Sequence, residues 1–361
     1  MNKRNDPCPC GSGKKYKKCC YLTQSNGAKE FNQELKDELQ GQEFASLDDV
    51  QGFVDNYINE QSNQSVAAFH GLSPDEMHQL LYKPFDSPSV VSFNTSTLPE
   101  LSQVPVVFLA LELAKAMEEG GVKPTAKGNL PQKLVKQVYQ AYRQSIYKPK
   151  YELSINKEDD FYDLNVARHL MMLSGLMRKY DGKFVNSKQM KKYLSAFQLG
   201  NEKKGTEQAS IDQLDTEQCL SELYFTLFKS FCLEFNWAYS SYDESYGFIQ
   251  QSFGFSLYLL GRYGDNFKHT DVYGDYFNDA FPDLLLEVEE SYSSPEDSIK
   301  NCHSNWVFER FAQYFGLAAI QYTANERGYL SEAEVKVTPL LKSFVQFKKR
   351  SNVVKGNFSR H

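Results

Sequence analysis

Residues 166–194 read VARHLMMLSGLMRKYDGKFVNSKQMKKYL, and the fold turns on this stretch. The apolar stripe from Val166 to Leu176 predicts a helix. A short, basic, β-like segment follows, Asp181-Gly182-Lys183-Phe184-Val185-Asn186-Ser187, and Met190 to Leu194 opens another striped helix. The order is helix, hairpin, Ser- or Thr-capped helix. It recurs at Val106 to Ala116, then Gly120 to Pro131, then Leu134-Val135. It recurs again at Phe308 to Ile320, followed by Glu334-Val335-Lys336-Val337-Thr338-Pro339-Leu340.

Such an order is what a winged-helix unit looks like in sequence. The three occurrences form a degenerate internal repeat without the fixed period of a solenoid. The competing reading is an ordinary helical bundle with short β-turn connections. Residues 217–262 are apolar and aromatic on nearly all faces, from Cys219-Leu220 through Phe231-Cys232-Leu233 to Leu259-Leu260, which predicts buried helices. At Ser73-Pro74-Asp75-Glu76 a capping box and a proline at the first helical position predict a helix start. Before it, Phe31, Leu35 and Leu39, then Leu47, Val50, Phe53, Val54 and Ile58, predict two amphipathic helices, with a polar break at Asn59 to Ser65. The expected fold class is mainly α: a small N-terminal zinc-binding module, then a multi-helix body with short β-hairpins and winged-helix-like units. The expected domains are 1–24 (metal module), 25–65 (acidic helical linker), 66–205 (helical, with winged-helix-like segments) and 206–361 (aromatic-rich, with a basic tail).

The chain has 361 residues, 41% hydrophobic and 24% charged, enough apolar surface for a core and too much for wholesale disorder. No apolar run approaches the roughly 20 residues of a membrane helix, so no membrane insertion is expected. The charged N-terminus lacks an apolar signal-peptide segment, and a cytoplasmic location is the expectation.

Four of the seven cysteines, Cys8, Cys10, Cys19 and Cys20, crowd into the first 20 residues. Disulfides are rare in the cytosol, and four thiols this dense suit a tetrahedral thiolate site, for which Zn2+ fits best. A disulfide or reactive-thiol cluster is the alternative. Pro7 and Pro9 hold the first ligand strand extended, and Gly11 and Gly13 allow the chain to reverse. Lys14, Lys15, Lys17 and Lys18 offset the thiolate charge and leave a basic outer surface. Such a stretch has no hydrophobic core, so metal binding must supply its folding free energy. Gly11-Ser12-Gly13-Lys14 lacks the upstream glycine and the following Ser or Thr of a phosphate loop.

The segment Asn5 to Cys20 resembles the SEC-C motif, the small zinc-binding tail of bacterial SecA that is also found on many otherwise unrelated bacterial proteins. The resemblance implies a docking module for a protein partner, a chaperone or the ribosome, with Lys14, Lys15, Lys17 and Lys18 facing it. The alternative is a zinc that merely ties down the N-terminus. The phrases GLSPDEMHQLLYKPFD, TAKGNLPQKLV and FGFSLYLLGRYG are similar to uncharacterised bacterial proteins that carry SEC-C motifs, which implies no particular activity.

The net charge of −6 hides segregation. Gly121 to Lys150 carries seven Lys/Arg and no acid, as does Val335 to His361, whereas Asp271 to Asp297 carries nine acids and no Lys/Arg. Lys123, Lys127, Lys133 and Lys136, beside a winged-helix-like turn, are therefore candidate nucleic-acid phosphate contacts. The bland alternative is solvated faces, or basic and acidic blocks that pair within the fold. No HExxH, GxSxG or GxGxxG pattern appears, and the noncatalytic reading is preferred without excluding an enzyme. Arg168-His169 and Cys302-His303 are minor functional candidates, each with a packing role as the competing reading.

Overall fold

The computed structural model describes residues 26–86, 90–146, 154–202, 207–240, 246–288, 293–324 and 330–348. These form a mainly helical protein with short antiparallel strand pairs. Contacts divide the chain into two compact units, Met1–His78 with Asp279–Pro295, and Gln79–Asn278 with Glu296–His361.

The first unit contains α1 (Asn26–Gln40) and α2 (Leu47–Asn63). Ser46 caps α2 by accepting from the Asp49 amide at 3.2 Å, and Asp48 and Asp49 sit at the positive end of its dipole. The polar run expected to break the chain at Asn59 is helical through Asn63. There the Asn63 side-chain amide donates to the Asn59 carbonyl at 2.8 Å, so these polar residues satisfy one another along the helix instead of ending it. The capping box forms as expected at the start of α3 (Pro74–Tyr82): the Ser73 amide donates to Glu76 Oε2 at 2.8 Å, and the Glu76 amide donates to Ser73 Oγ at 3.2 Å.

In the second unit, β1 (Val91–Phe93) leads by a short turn to α4 (Pro105–Ala116), whose proline occupies the first helical turn. The chain then reverses through Gly120 and Gly121, and Val122 forms an isolated antiparallel bridge to Phe184. Gly121 has φ +79°, and a Cβ there would lie 2.7 Å from the Phe184 carbonyl oxygen, so only glycine allows this approach. Next come α5 (Gln132–Ser145), α6 (Tyr162–Leu173), the hairpin β2 (Met177–Tyr180) and β3 (Lys183–Asn186), and α7 (Lys188–Glu202). In the hairpin Lys179 pairs with Phe184, which leaves β3 between β2 and Val122. Helix, bridging residue, two helices and a hairpin, with the bridging residue beside the last strand, is a winged-helix-like element order. Two of the three expected repeats are therefore the two halves of one unit. The third is different: its helix ends at Gln313, and Ala318 to Ile320 already belong to a strand.

The rest of this unit is built on α8 (Glu207–Leu233), α9 (Gly247–Gln251) and α10 (Phe253–Tyr263). Strand β4 (Lys268–His269) then leads into α11 (Thr270–Ala280). A helix, α12 (Pro295–His303), runs without interruption into a π-helix, Ser304–Gln313. Gly316, at φ +67°, ends that segment and lets β5 (Ala318–Ala324) start. Strand β6 (Leu330–Val337) lies between β4 and β5. Thr338 then caps α13 (Pro339–Phe344), and β7 (Val345–Phe347) pairs with β1.

Phe228 of α8 is the hub of the aromatic core and is fully buried. Its ring centroid lies 5.2 Å from Phe93, 4.9 Å from Phe344, 5.6 Å from Phe315 and 5.7 Å from Phe311. Cys232, one turn on, is a buried thiol with a pKa pushed up by burial, as expected of a small core residue. Phe228→Ala leaves a void that these four rings cannot all close. Urea unfolding is expected to show a loss of about 3–5 kcal/mol; a loss below about 1 kcal/mol would mean that the core collapses around the gap.

Candidate functional site

Cys8, Cys10, Cys19, Cys20, Lys14, Lys15, Lys17 and Lys18 lie outside the described residues. Among the described residues, no group of three or more His, Cys, Asp or Glu side chains is placed to hold a metal ion.

A buried cluster organises the winged-helix unit. Glu158, fully buried, sits just before α6. Its Oε1 accepts from Arg168 Nε at 2.5 Å and from Asn165 Nδ2 at 3.0 Å, and its Oε2 accepts from the Leu130 amide at 2.6 Å. One carboxylate thus ties the loop before α5 to two positions of α6. Arg168 spends its charge there, and its guanidinium also lies over the Phe184 ring of the hairpin at 5.8 Å. His169 meets Arg168 Nη2 through Nε2 at 3.1 Å and packs on Tyr239 at 5.0 Å. Burial first, and the Arg168 charge second, lower its pKa to about 4. The Arg168-His169 pair is accordingly built into packing. So is His303, which lies between Phe277 at 4.7 Å and Phe308 at 5.4 Å, with Nε2 3.1 Å from Ser256 Oγ.

The surface of the same unit carries the basic residues. Lys123, Lys127, Lys133 and Lys136 are all exposed. The structure separates them: Lys123 and Lys127 lie on the loop that runs beside the hairpin, whereas Lys133 and Lys136 lie on α5. It also brings Arg178, Lys179 and Lys183 of the hairpin, all exposed, alongside that loop. Lys183 Nζ donates to the Gly120 carbonyl at 3.0 Å, and Lys179 Nζ stands 3.9 Å from where a Cβ on Gly128 would be. The sequence reading missed these three cations as part of the set. Their signal was the basic character of the 178–183 segment, but its neighbourhood with residues 120–131, made by the Val122–Phe184 bridge, is visible only in the structure.

A cleft of about 390 Å³ lies where the N-terminal end of α6 and the face of α5 meet the π-helix. Asp163 sits in it, accepting from Tyr142 Oη at 2.8 Å, while its backbone carbonyl accepts from Tyr314 Oη at 2.9 Å. Burial raises the Asp163 pKa, against the opposing effects of Tyr142 and of Arg310. Arg310 lies over the Tyr162 ring at 4.9 Å. Among the described residues, the lining offers carboxylates, phenols, amides and the Arg310 guanidinium, and no serine, cysteine or histidine nucleophile.

Comparison with known proteins adds two family matches. A SEC-C motif matches residues 4–22, and a Y4jL N-terminal domain matches residues 102–199. The SEC-C motif suggests a metal-binding module. The second match begins in the turn before α4 and ends in α7, so it coincides with the winged-helix unit. No solved structure matches the chain. No helix among the described residues is long and apolar enough to cross a membrane.

Two predictions follow from the buried polar groups. Glu158→Leu leaves Arg168 buried without its carboxylate and is expected to cost about 3–5 kcal/mol in urea unfolding. Glu158→Leu combined with Arg168→Met is expected to recover part of that loss; a double variant no better than the single would assign the cost to the Leu130 and Asn165 donors instead. The second prediction concerns acid. His303 is held at about 3 by burial and His169 at about 4, both below the ordinary 6.5. The unfolded chain therefore binds more protons than the folded one between those values and pH 6.5. Stability present above that window is lost as the pH falls through it. Thermal melts are expected to show Tm dropping from pH 7 to 5, and His303→Phe is expected to flatten the drop. An unchanged slope in that variant would remove His303 as a source.

Proposed function

We propose that the chain is a zinc-binding adaptor. Its N-terminal module, residues 1–24, holds Zn2+ through Cys8, Cys10, Cys19 and Cys20 and docks on a chaperone, a secretion component or the ribosome through Lys14, Lys15, Lys17 and Lys18. The observation that carries this reading is the SEC-C match over residues 4–22, which contains all four thiols. The donor set fits the ion: four thiolates are a closed, soft set of the kind that structural zinc takes, and a peptide this poor in apolar residues folds only around its metal. Residues 25–65 link the module to the body, 66–205 and 206–361, which engages a second partner from a cytoplasmic location.

A second reading, association with nucleic acid through Lys123, Lys127, Lys133 and Lys136, is supported by the winged-helix element order and by the exposure of all four lysines. The two readings concern different ends of the chain and are compatible.

The test of the first is direct. The purified chain is expected to carry one zinc per chain by elemental analysis. Replacing all four cysteines with serine is expected to abolish that zinc and to leave the Tm of the body unchanged within about 2 °C, since the metal supplies the folding free energy of the module alone. In nuclease-treated host lysate, the intact chain is expected to retain ribosomal or chaperone proteins that the four-serine variant loses. Equal retention by both would sink the docking role.

A further inference from the structure

We infer that the hairpin edge of the winged-helix unit, Lys123, Lys127, Arg178, Lys179 and Lys183, docks on the phosphate backbone of double-stranded nucleic acid without reading its bases. This deepens the nucleic-acid reading of the body: it names the face and the ligand class.

The charge is concentrated and free. Residues 120–136 carry four lysines and no acid, and residues 177–192 carry six Lys/Arg with Asp181 as the single acid, in a chain of net charge −6. The Val122–Phe184 bridge lays the first segment along the second. Among the described residues, none of the five edge cations meets a carboxylate: Lys183 bonds the Gly120 carbonyl, Lys179 lies 5.5 Å over the Phe184 ring and Arg178 lies 5.5 Å over the Tyr180 ring. Contacts of that kind orient a cation without neutralising it, so all five remain available to phosphates.

The helix that would read bases is not available. In a winged-helix unit the second helix of the helix-turn-helix enters the major groove, and here that position belongs to α6. Yet α6 packs against both α4 and α8. Leu164, Asn165, Val166, Ala167, Leu170 and Met171 are buried, and the one arginine of α6 is bound to Glu158. What remains exposed is phosphate-contacting chemistry, which carries no sequence information by itself.

The edge also favours a duplex over other polyanions. Tyr180, 66% exposed, is the single exposed aromatic on the hairpin. Successive aromatic platforms, which a single strand needs for stacking, are lacking on this hairpin. So is the apolar face that an interfacial membrane segment inserts.

The test is fluorescence anisotropy with the full chain, a 30-base-pair DNA duplex and the matching RNA duplex, each in two unrelated sequences, across a salt series. Five phosphate contacts predict a slope of log affinity against log salt of about −4.5. The variant Lys123→Gln, Lys127→Gln, Arg178→Gln, Lys179→Gln is expected to bind at least tenfold more weakly at 50 mM salt with a slope near −1. A control with equal charge loss elsewhere, Lys36→Gln, Lys83→Gln, Lys157→Gln, Lys268→Gln, is expected to lose less than threefold. Circular dichroism confirms that both variants are folded. Binding of either duplex with these properties supports the proposal and tells DNA from RNA. Failure of the chain to bind any duplex or single strand at 50 mM salt overturns the proposal together with the reading it rests on. Duplex binding that the edge variant retains, a preference above about a hundredfold for one sequence, or tighter binding to the single strand overturns the proposal alone. Capture by vesicles with anionic lipid, through the same residues and without duplex binding, overturns it in favour of a membrane.

Discussion

The winged-helix unit depends on one buried carboxylate. Glu158 is surrounded by protein and would be expensive to ionise there without partners. It has three donors from three places in the chain, Leu130, Asn165 and Arg168. Each of these would be an unsatisfied buried group without it. The arrangement makes α6 inseparable from the loop in front of α5, and through the Arg168 guanidinium it reaches the ring of Phe184 on the hairpin. Helix, loop and hairpin therefore share one polar anchor, and the surface that the hairpin presents is set by what lies beneath it.

The same anchor explains an inversion of roles. In this unit the helix at the reading position is treated as core. Its arginine serves folding and its histidine is kept neutral by burial and by the adjacent guanidinium. The exposed, charged chemistry lies on the hairpin and on the loop bridged to it. The helix-turn-helix order is present, while its second helix, α6, is packed between other elements, α4 and α8 among them.

Much of this was legible in sequence, unevenly. The capping box at Ser73–Glu76 is a local hydrogen-bond pattern, and local patterns survive in any context, so α3 starts where expected. The all-round apolar character of residues 217–262 pointed to buried helices, and most of the apolar side chains from Cys219 to Leu260 are buried. The polar stretch from Asn59 was misleading, because Asn–Asn contacts one turn apart supply what propensity lacks. The apparent repeat was two halves of one unit, joined by a bridge between residues 62 apart, Val122 and Phe184, which spacing along the chain does not show. The basic edge was half visible for the same reason: spacing along the chain shows runs of lysine, and only strand pairing shows which runs are neighbours. The anchoring role of Glu158 left no signal, because a buried glutamate and a solvated one look alike in a string of letters.

The π-helix has a consequence for how the chain tolerates change. Between Ser304 and Gln313 each turn of backbone holds one residue more than the α-helix before it, as i→i+5 hydrogen bonding requires. Removing a single residue there, with the winding otherwise unchanged, would rotate the rest of the segment by about 100° about its axis. Phe311 and Phe315 would then leave the aromatic core, and Arg310 would leave the face of Tyr162, although no individual contact had been mutated. This stretch therefore acts as a length gauge: replacement at one position is a local event, whereas deletion shifts the register of the aromatic residues that the segment delivers to the core.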